Sequence, residues 1–131
     1  MRVYLCRHAH APSGEPDELR ELSAVGLEQA RALGESLAAR DEAPHAILSS
    51  PLLRARQTAG EIGRAVGVPV QVDEELAPGA TIDSLMRAID GEQGPVAVVG
   101  HQPDCSEIAY AVIGRDPGFP VAGMVVLELT T

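Results

Sequence analysis

No lysine occurs among these 131 residues; the ten basic side chains are all arginine. That absence removes whole mechanisms: a phosphate-binding loop with its lysine, a Schiff base, an anchor for pyridoxal phosphate. Positive charge is scarce overall, and a net charge of −9 argues against a nucleic-acid partner, which requires a basic face that releases counterions. Cysteine is equally sparse. Cys6 and Cys105 provide no disulfide framework and are expected to be reduced thiols, Cys6 as a small buried strand residue. No apolar stretch approaches the ~20 residues of a membrane-spanning helix. The run Met1-Arg2-Val3-Tyr4-Leu5-Cys6 is too short for a signal-peptide core, so neither a membrane partner nor export is expected and the cytoplasm is the expected location.

What remains is the composition of an ordinary globular domain, with 45% apolar and 22% charged residues. A single domain covering residues 1–131 buries roughly two-thirds of its unfolded surface. Strand-like and helix-like segments alternate, the pattern of a three-layer α/β domain with a mostly parallel sheet and helices on both faces. Strands are expected at Arg2 to Cys6, Ala46 to Ser49, Val68 to Val72, Val96 to Val99 and Met124 to Leu129. The first helix is expected from Ala24 to Arg40, capped by Ser23, with Leu27, Ala30, Leu33, Leu37 and Ala38 at helical spacing. The second is expected to take Ser50 as its cap, Pro51 in its first turn and Gly67 just past its end. A third spans Ile82 to Ile89, and a fourth runs from near Pro103 to Gly114. The polar stretch from Ala11 to Leu22 is the longest loop and is expected to border the active site.

Residues able to do chemistry fall just after the strands. Arg7 and His8 close the first, Arg54 lies in the first turn of the helix after the second, and His101 follows Val98-Val99-Gly100. In a parallel sheet these ends share one edge, where ligands of α/β proteins collect. A helical side chain leans toward its own N-terminus, which aims Arg54 back at that edge. Two arginines, two histidines and the exposed amides of a helix start suit a tetrahedral dianion. Phosphoryl transfer needs positioning, in-line attack and neutralisation of the equatorial oxygens. His8, with one ring nitrogen tied by a hydrogen bond, is the candidate nucleophile; Arg7, Arg54 and a protonated His101 are the candidate phosphate ligands.

Three segments carry a resemblance: Leu5-Cys6-Arg7-His8-Ala9, then Ser49-Ser50-Pro51-Leu52-Leu53-Arg54-Ala55-Arg56-Gln57-Thr58, then Val99-Gly100-His101-Gln102-Pro103. In this order they resemble the signatures of the histidine phosphatase superfamily, the phosphoglycerate-mutase-like fold. The match implies His8 as nucleophile with Arg7, Arg54 and His101 as ligands. The short chain is similar to the SixA-type phosphohistidine phosphatases, which lack the insertions that roof the pocket in mutases and phytases. That likeness implies a phosphorylated protein as partner, such as a phosphohistidine-carrying signalling domain; a small phosphoester is the alternative substrate. Glu75, in Asp73-Glu74-Glu75-Leu76-Ala77-Pro78, resembles the family's Glu-Leu-x-Pro segment and is the candidate acid. Ala9 stands where the wider superfamily has Gly, so a left-handed backbone there would cost roughly 1 kcal/mol. His10 replaces the acidic residue of many mutases.

Other classes fit parts of the pattern. Cys6, His8 and His10 alternate and would face one side if the first strand ran through His10, a possible Cys-His-His zinc triad. A phosphate-binding module without turnover would use the same ligands. A cysteine phosphatase is excluded, because the arginine its loop requires six residues on is Pro12 after Cys6 and Ala111 after Cys105. The phosphatase reading calls for no metal and no cofactor. Arg56 and His45 are expected at the surface.

Overall fold

The computed structural model describes residues Met1–Thr130. Five strands, β1 (Arg2–Arg7), β2 (Ala46–Ser49), β3 (Val70–Val72), β4 (Val96–Gly100) and β5 (Met124–Glu128), form one sheet in the order β3-β2-β4-β1-β5. All neighbours are parallel except β5, which pairs antiparallel with β1 at the edge. Four helices connect them: α1 (Ala24–Ala38), α2 (Leu53–Val66), α3 (Ile82–Ala88) and α4 (Asp104–Ile113). Two single 3₁₀ turns, Asp17–Leu19 and Glu74–Leu76, lie in the connections.

The layers follow from alternation within the strands. Val3 and Leu5 of β1, Leu48 of β2, Val96 and Val98 of β4 and Leu127 of β5 face one side, where Leu85, Ile108 and Ala109 of α3 and α4 meet them. Tyr4, Cys6, Ile47, Ala97 and Val99 face the other, under Leu33 and Leu37 of α1 and Ala55, Ala59 and Ile62 of α2. Strands covered on both faces read as continuous apolar runs, as Val3-Tyr4-Leu5-Cys6 and Val96-Ala97-Val98-Val99 do. Right-handed crossovers explain which helix goes where. The chain steps one way from β1 through β2 to β3, laying down α1 and α2, then turns back to β4 and places α3 on the opposite face.

Chain reversal leaves β4 between β1 and β2, and the carboxyl ends of these parallel strands share one edge of the sheet, where ligands of α/β proteins collect. The expected helices and strands are present, with shifts at their ends. β3 begins at Val70 rather than Val68, and α1 stops at Ala38. Ser23 caps α1 by accepting from Gly26 N at 3.0 Å. Gly26 is needed there, since a Cβ would lie 2.0 Å from the His10 carbonyl oxygen. The cap of α2 differs from expectation: it is Leu52, with no side-chain hydrogen bond, and Ser50 lies before the helix, its hydroxyl accepting from Leu52 N at 3.2 Å and lying 2.7 Å from His101 Nε2. Among the described residues no helix is long and apolar enough to cross a membrane.

Candidate active site

His8 is the first residue beyond β1, held on both sides by backbone. Its N–H donates to Gly100 O at 3.0 Å and its carbonyl accepts from Ala122 N at 3.1 Å. The ring Nδ1 lies 2.7 Å from the Ala9 carbonyl. A carbonyl can only accept, so Nδ1 carries the proton and Nε2 is left with its lone pair. Burial lowers the His8 pKa from its ordinary value; the hydrogen bond to Ala9 opposes it, and the fields of Arg54, Arg7 and Arg20 add to the lowering. His8 is therefore neutral near pH 7, and its Nε2 is available as a nucleophile.

Both arginines are anchored at a terminal nitrogen and open along one side. Arg7 donates through Nη1 to Phe119 O at 2.9 Å. Arg54, 7% exposed, donates through Nη1 to Asp17 O at 2.9 Å and through Nη2 to Asp17 Oδ2 at 3.3 Å. The Nε–H of each is buried without a partner. The Nε edge of a guanidinium matches two oxygens of a phosphate or carboxylate, and in both residues that edge remains to be satisfied.

His101 completes the group. Its ring centroid lies 5.2 Å from that of His8. Nε2 sits 2.7 Å from the buried Ser50 hydroxyl, while Nδ1 is buried and unpartnered. Burial, then His8 and Arg54, push its pKa down to about 4, with the Asp17 carboxylate opposing the shift. The expectation of a protonated His101 is corrected: buried and beside cations, the ring is neutral at pH 7. Three buried nitrogens, from three separate segments, are thus without protein partners, groups of the kind an oxyanion can satisfy.

The family model that matches residues 3–78 is that of the histidine phosphatase superfamily, branch 1. The chain belongs to that superfamily. This histidine phosphatase is also similar over nearly its whole length to the protein histidine phosphatase SixA solved with tungstate. The TM-score is 0.87 at 25% identity, covering 98% of this chain and 88% of that one. Phosphohistidine phosphatase SixA of Escherichia coli K12 is 29% identical over 125 residues, 90% of this chain and 76% of its own length. An uncharacterised protein of Picosynechococcus is 33% identical over 140 residues, 98% of this chain and 85% of its own. Membership places this histidine phosphatase among the phosphatases, and the expected α/β fold stands.

Not every expected residue joins the cluster. Glu75 lies in the 3₁₀ turn after β3, and its Oε2 pairs with Arg87 Nη2 at 3.0 Å and Nε at 3.1 Å. Ala9 needs no left-handed backbone, since Ala122 (φ 57) is the positive-φ non-glycine position among the described residues; Ala9 N–H instead donates to Thr58 Oγ1 at 3.0 Å. The zinc alternative loses its geometry. β1 ends at Arg7, the Cys6 thiol is buried against the α1–α2 layer, and exposed His10 contacts Ser23 Oγ through Nδ1 at 2.7 Å. Arg56 and His45 are exposed, as expected.

Sequence reasoning passed over Asp17, Thr58 and Ser50 as contributors to the site. Thr58 Oγ1 accepts from Ala9 N–H and donates to Arg54 O at 2.9 Å, tying the segment after His8 to α2. The loop from Ala11 to Leu22 does border the site. Arg20 staples it through Ala11 O, Pro12 O and Asp17 Oδ1 at 2.7, 2.8 and 2.9 Å, and Asp17 then reaches Arg54. Thr58 and Ser50 lie inside the recognised segment around Arg54, a signal that could have been followed; Asp17 has only its place in the longest polar loop.

Proposed function

We propose that this protein hydrolyses phosphohistidine on a protein partner through a covalent phosphohistidine at His8. The observation that carries the reading is the pinning of His8 Nδ1 on the Ala9 carbonyl, which leaves Nε2 as the free lone pair beside two arginines with open Nε edges. Nε2 attacks phosphorus in line as the substrate N–P bond breaks, while Arg7, Arg54 and His101 hold the equatorial oxygens. A substrate ring already protonated at its other nitrogen departs as neutral imidazole, so no proton is required from the enzyme. Water then attacks the phosphohistidine, releasing inorganic phosphate and restoring His8.

Substrate class follows from the leaving group. An imidazole, conjugate to an acid of pKa about 6.5, departs far more readily than an alkoxide. Glu75, the carboxylate that could assist an alkoxide, is occupied by Arg87. The likeness to SixA phosphohistidine phosphatases supports the same choice. No metal takes part in this scheme. Turnover of a phosphohistidine-bearing protein, compared with a panel of alkyl phosphates in chelator, tests it. The protein substrate is expected to be strongly preferred, with acid-labile label trapped on wild type and absent from His8→Ala. Equal rates on alkyl phosphates would overturn the substrate class, and undiminished label on His8→Ala would overturn the nucleophile.

A further inference from the structure

Ser50 is fully buried at the carboxyl end of β2, and its backbone N–H is fixed to Val99 O at 3.0 Å. Its hydroxyl oxygen has two neighbours, Leu52 N–H at 3.2 Å and His101 Nε2 at 2.7 Å. The first of these can only donate. One hydroxyl hydrogen is then left to place, and His101 Nε2 is the acceptor within reach. The alternative, with Nε2–H donating to Ser50, leaves a buried hydroxyl hydrogen without an acceptor. It would also point a lone pair of Nδ1 at the incoming oxyanion, and both faults are costly for groups as buried as Ser50 and His101.

We propose that Ser50 is a positioning residue that fixes the tautomer of His101, donating to Nε2 so that a neutral ring presents Nδ1–H to a phosphate oxygen. The inference builds on the phosphatase reading and deepens it by separating the two histidines. His8 is held by a carbonyl acceptor as Nδ1–H with a nucleophilic Nε2. His101 is held by a hydroxyl donor also as Nδ1–H, but there the protonated nitrogen is the one without a protein partner. The same tautomer thus serves opposite purposes, attack in one ring and oxyanion binding in the other, according to which nitrogen is tied down. Charge balance favours this arrangement. Arg7 and Arg54 already supply two cations, and a neutral donor gives direction without a third buried charge.

Nitrogen-15 NMR of histidine-labelled protein with bound orthovanadate tests the assignment, the His101 signals being identified by their loss in His101→Gln. The expected spectrum shows pyrrole-type Nδ1 and pyridine-type Nε2 on His101. Ser50→Ala is expected to mix the tautomers and to weaken both orthovanadate binding and kcat/KM by about tenfold, the worth of one neutral hydrogen bond; Ser50→Thr, which keeps the hydroxyl, recovers most of both. A wild-type His101 with pyrrole-type Nε2, or doubly protonated in the complex, would overturn the proposal even if Ser50→Ala failed to fold. A wild type that shows the expected tautomer on orthovanadate yet turns over no phosphorylated substrate would overturn the phosphatase reading and leave the role of Ser50 standing.

Discussion

Replacing Asp17 by alanine separates aiming from binding at Arg54. Asp17 grips the guanidinium twice, through its carbonyl at 2.9 Å and its carboxylate at 3.3 Å. Substitution removes the carboxylate contact, together with the Arg20 contact to Asp17 Oδ1 at 2.9 Å, and keeps the carbonyl one. Removing an Arg aimed at the transition state costs on the order of 10²-fold, as single oxyanion-hole donors do. That sets an upper bound, which the retained carbonyl contact reduces. Misalignment of a ligand by a fraction of an ångström then points to a fall of about threefold to tenfold in kcat/KM. The carboxylate is 59% exposed, so little change in folding stability accompanies it. The decisive assay is a double-mutant cycle on kcat/KM, with orthovanadate affinity as a second readout: Asp17→Ala is measured in wild type and in Arg54→Ala. If Asp17 acts through Arg54, its effect vanishes once the guanidinium is gone. An equal loss in both backgrounds would refute the reasoning and make Asp17 an independent participant.

Three further outcomes are expected. Gly26→Ala places a Cβ 2.0 Å from the His10 carbonyl oxygen; denaturant unfolding should show a loss of about 1–3 kcal/mol, and an unchanged midpoint would contradict the close packing of α1 on the segment after β1. Asp104, 6% exposed, accepts from Gly79 N at 2.9 Å and Ala80 N at 3.1 Å. Asp104→Ala strips both amides of their acceptor and should cost about 2 kcal/mol or more, with Asn intermediate; equal stability of Ala and Asn would sink that account. The histidine pKa values predict acid lability. His101 is lowered to about 4 and His8 is lowered in the same direction, while an unfolded histidine titrates near 6.5. Between those values the unfolded chain binds more protons, so stability rises with pH across that window and falls on acidification through it. Calorimetry at several pH values should show a shallower dependence for His101→Gln than for wild type, and parallel curves would rule out His101 as a source.

The layered fold and the placement of Arg7, His8, Arg54 and His101 at strand ends and a helix start were legible in the chain because each rests on short-range chemistry. Continuous apolar runs at Val3 to Cys6 and Val96 to Val99 mark strands buried on both faces, and Arg7, His8 and His101 follow such runs directly. Arg54 was legible because a helix start and the lean of helical side chains set its direction. Ser50 was misjudged for the opposite reason. Read locally, a serine before Pro51 is a helix cap, and only the adjacency of β2 and β4 brings His101 Nε2 to 2.7 Å from its hydroxyl. Likewise the contact of the Glu75 carboxylate with Arg87, twelve residues on, was not legible from its neighbours.

The sequence by itself determined which residues stand at strand ends and what charge they carry, since periodicity and residue chemistry act within a few positions of the chain. Tertiary structure alone decided the protonation and orientation of those groups. The tautomer and neutral state of His101 and the grip of Asp17 on Arg54 depend on burial and on partners 37 or more residues away, which no local pattern encodes.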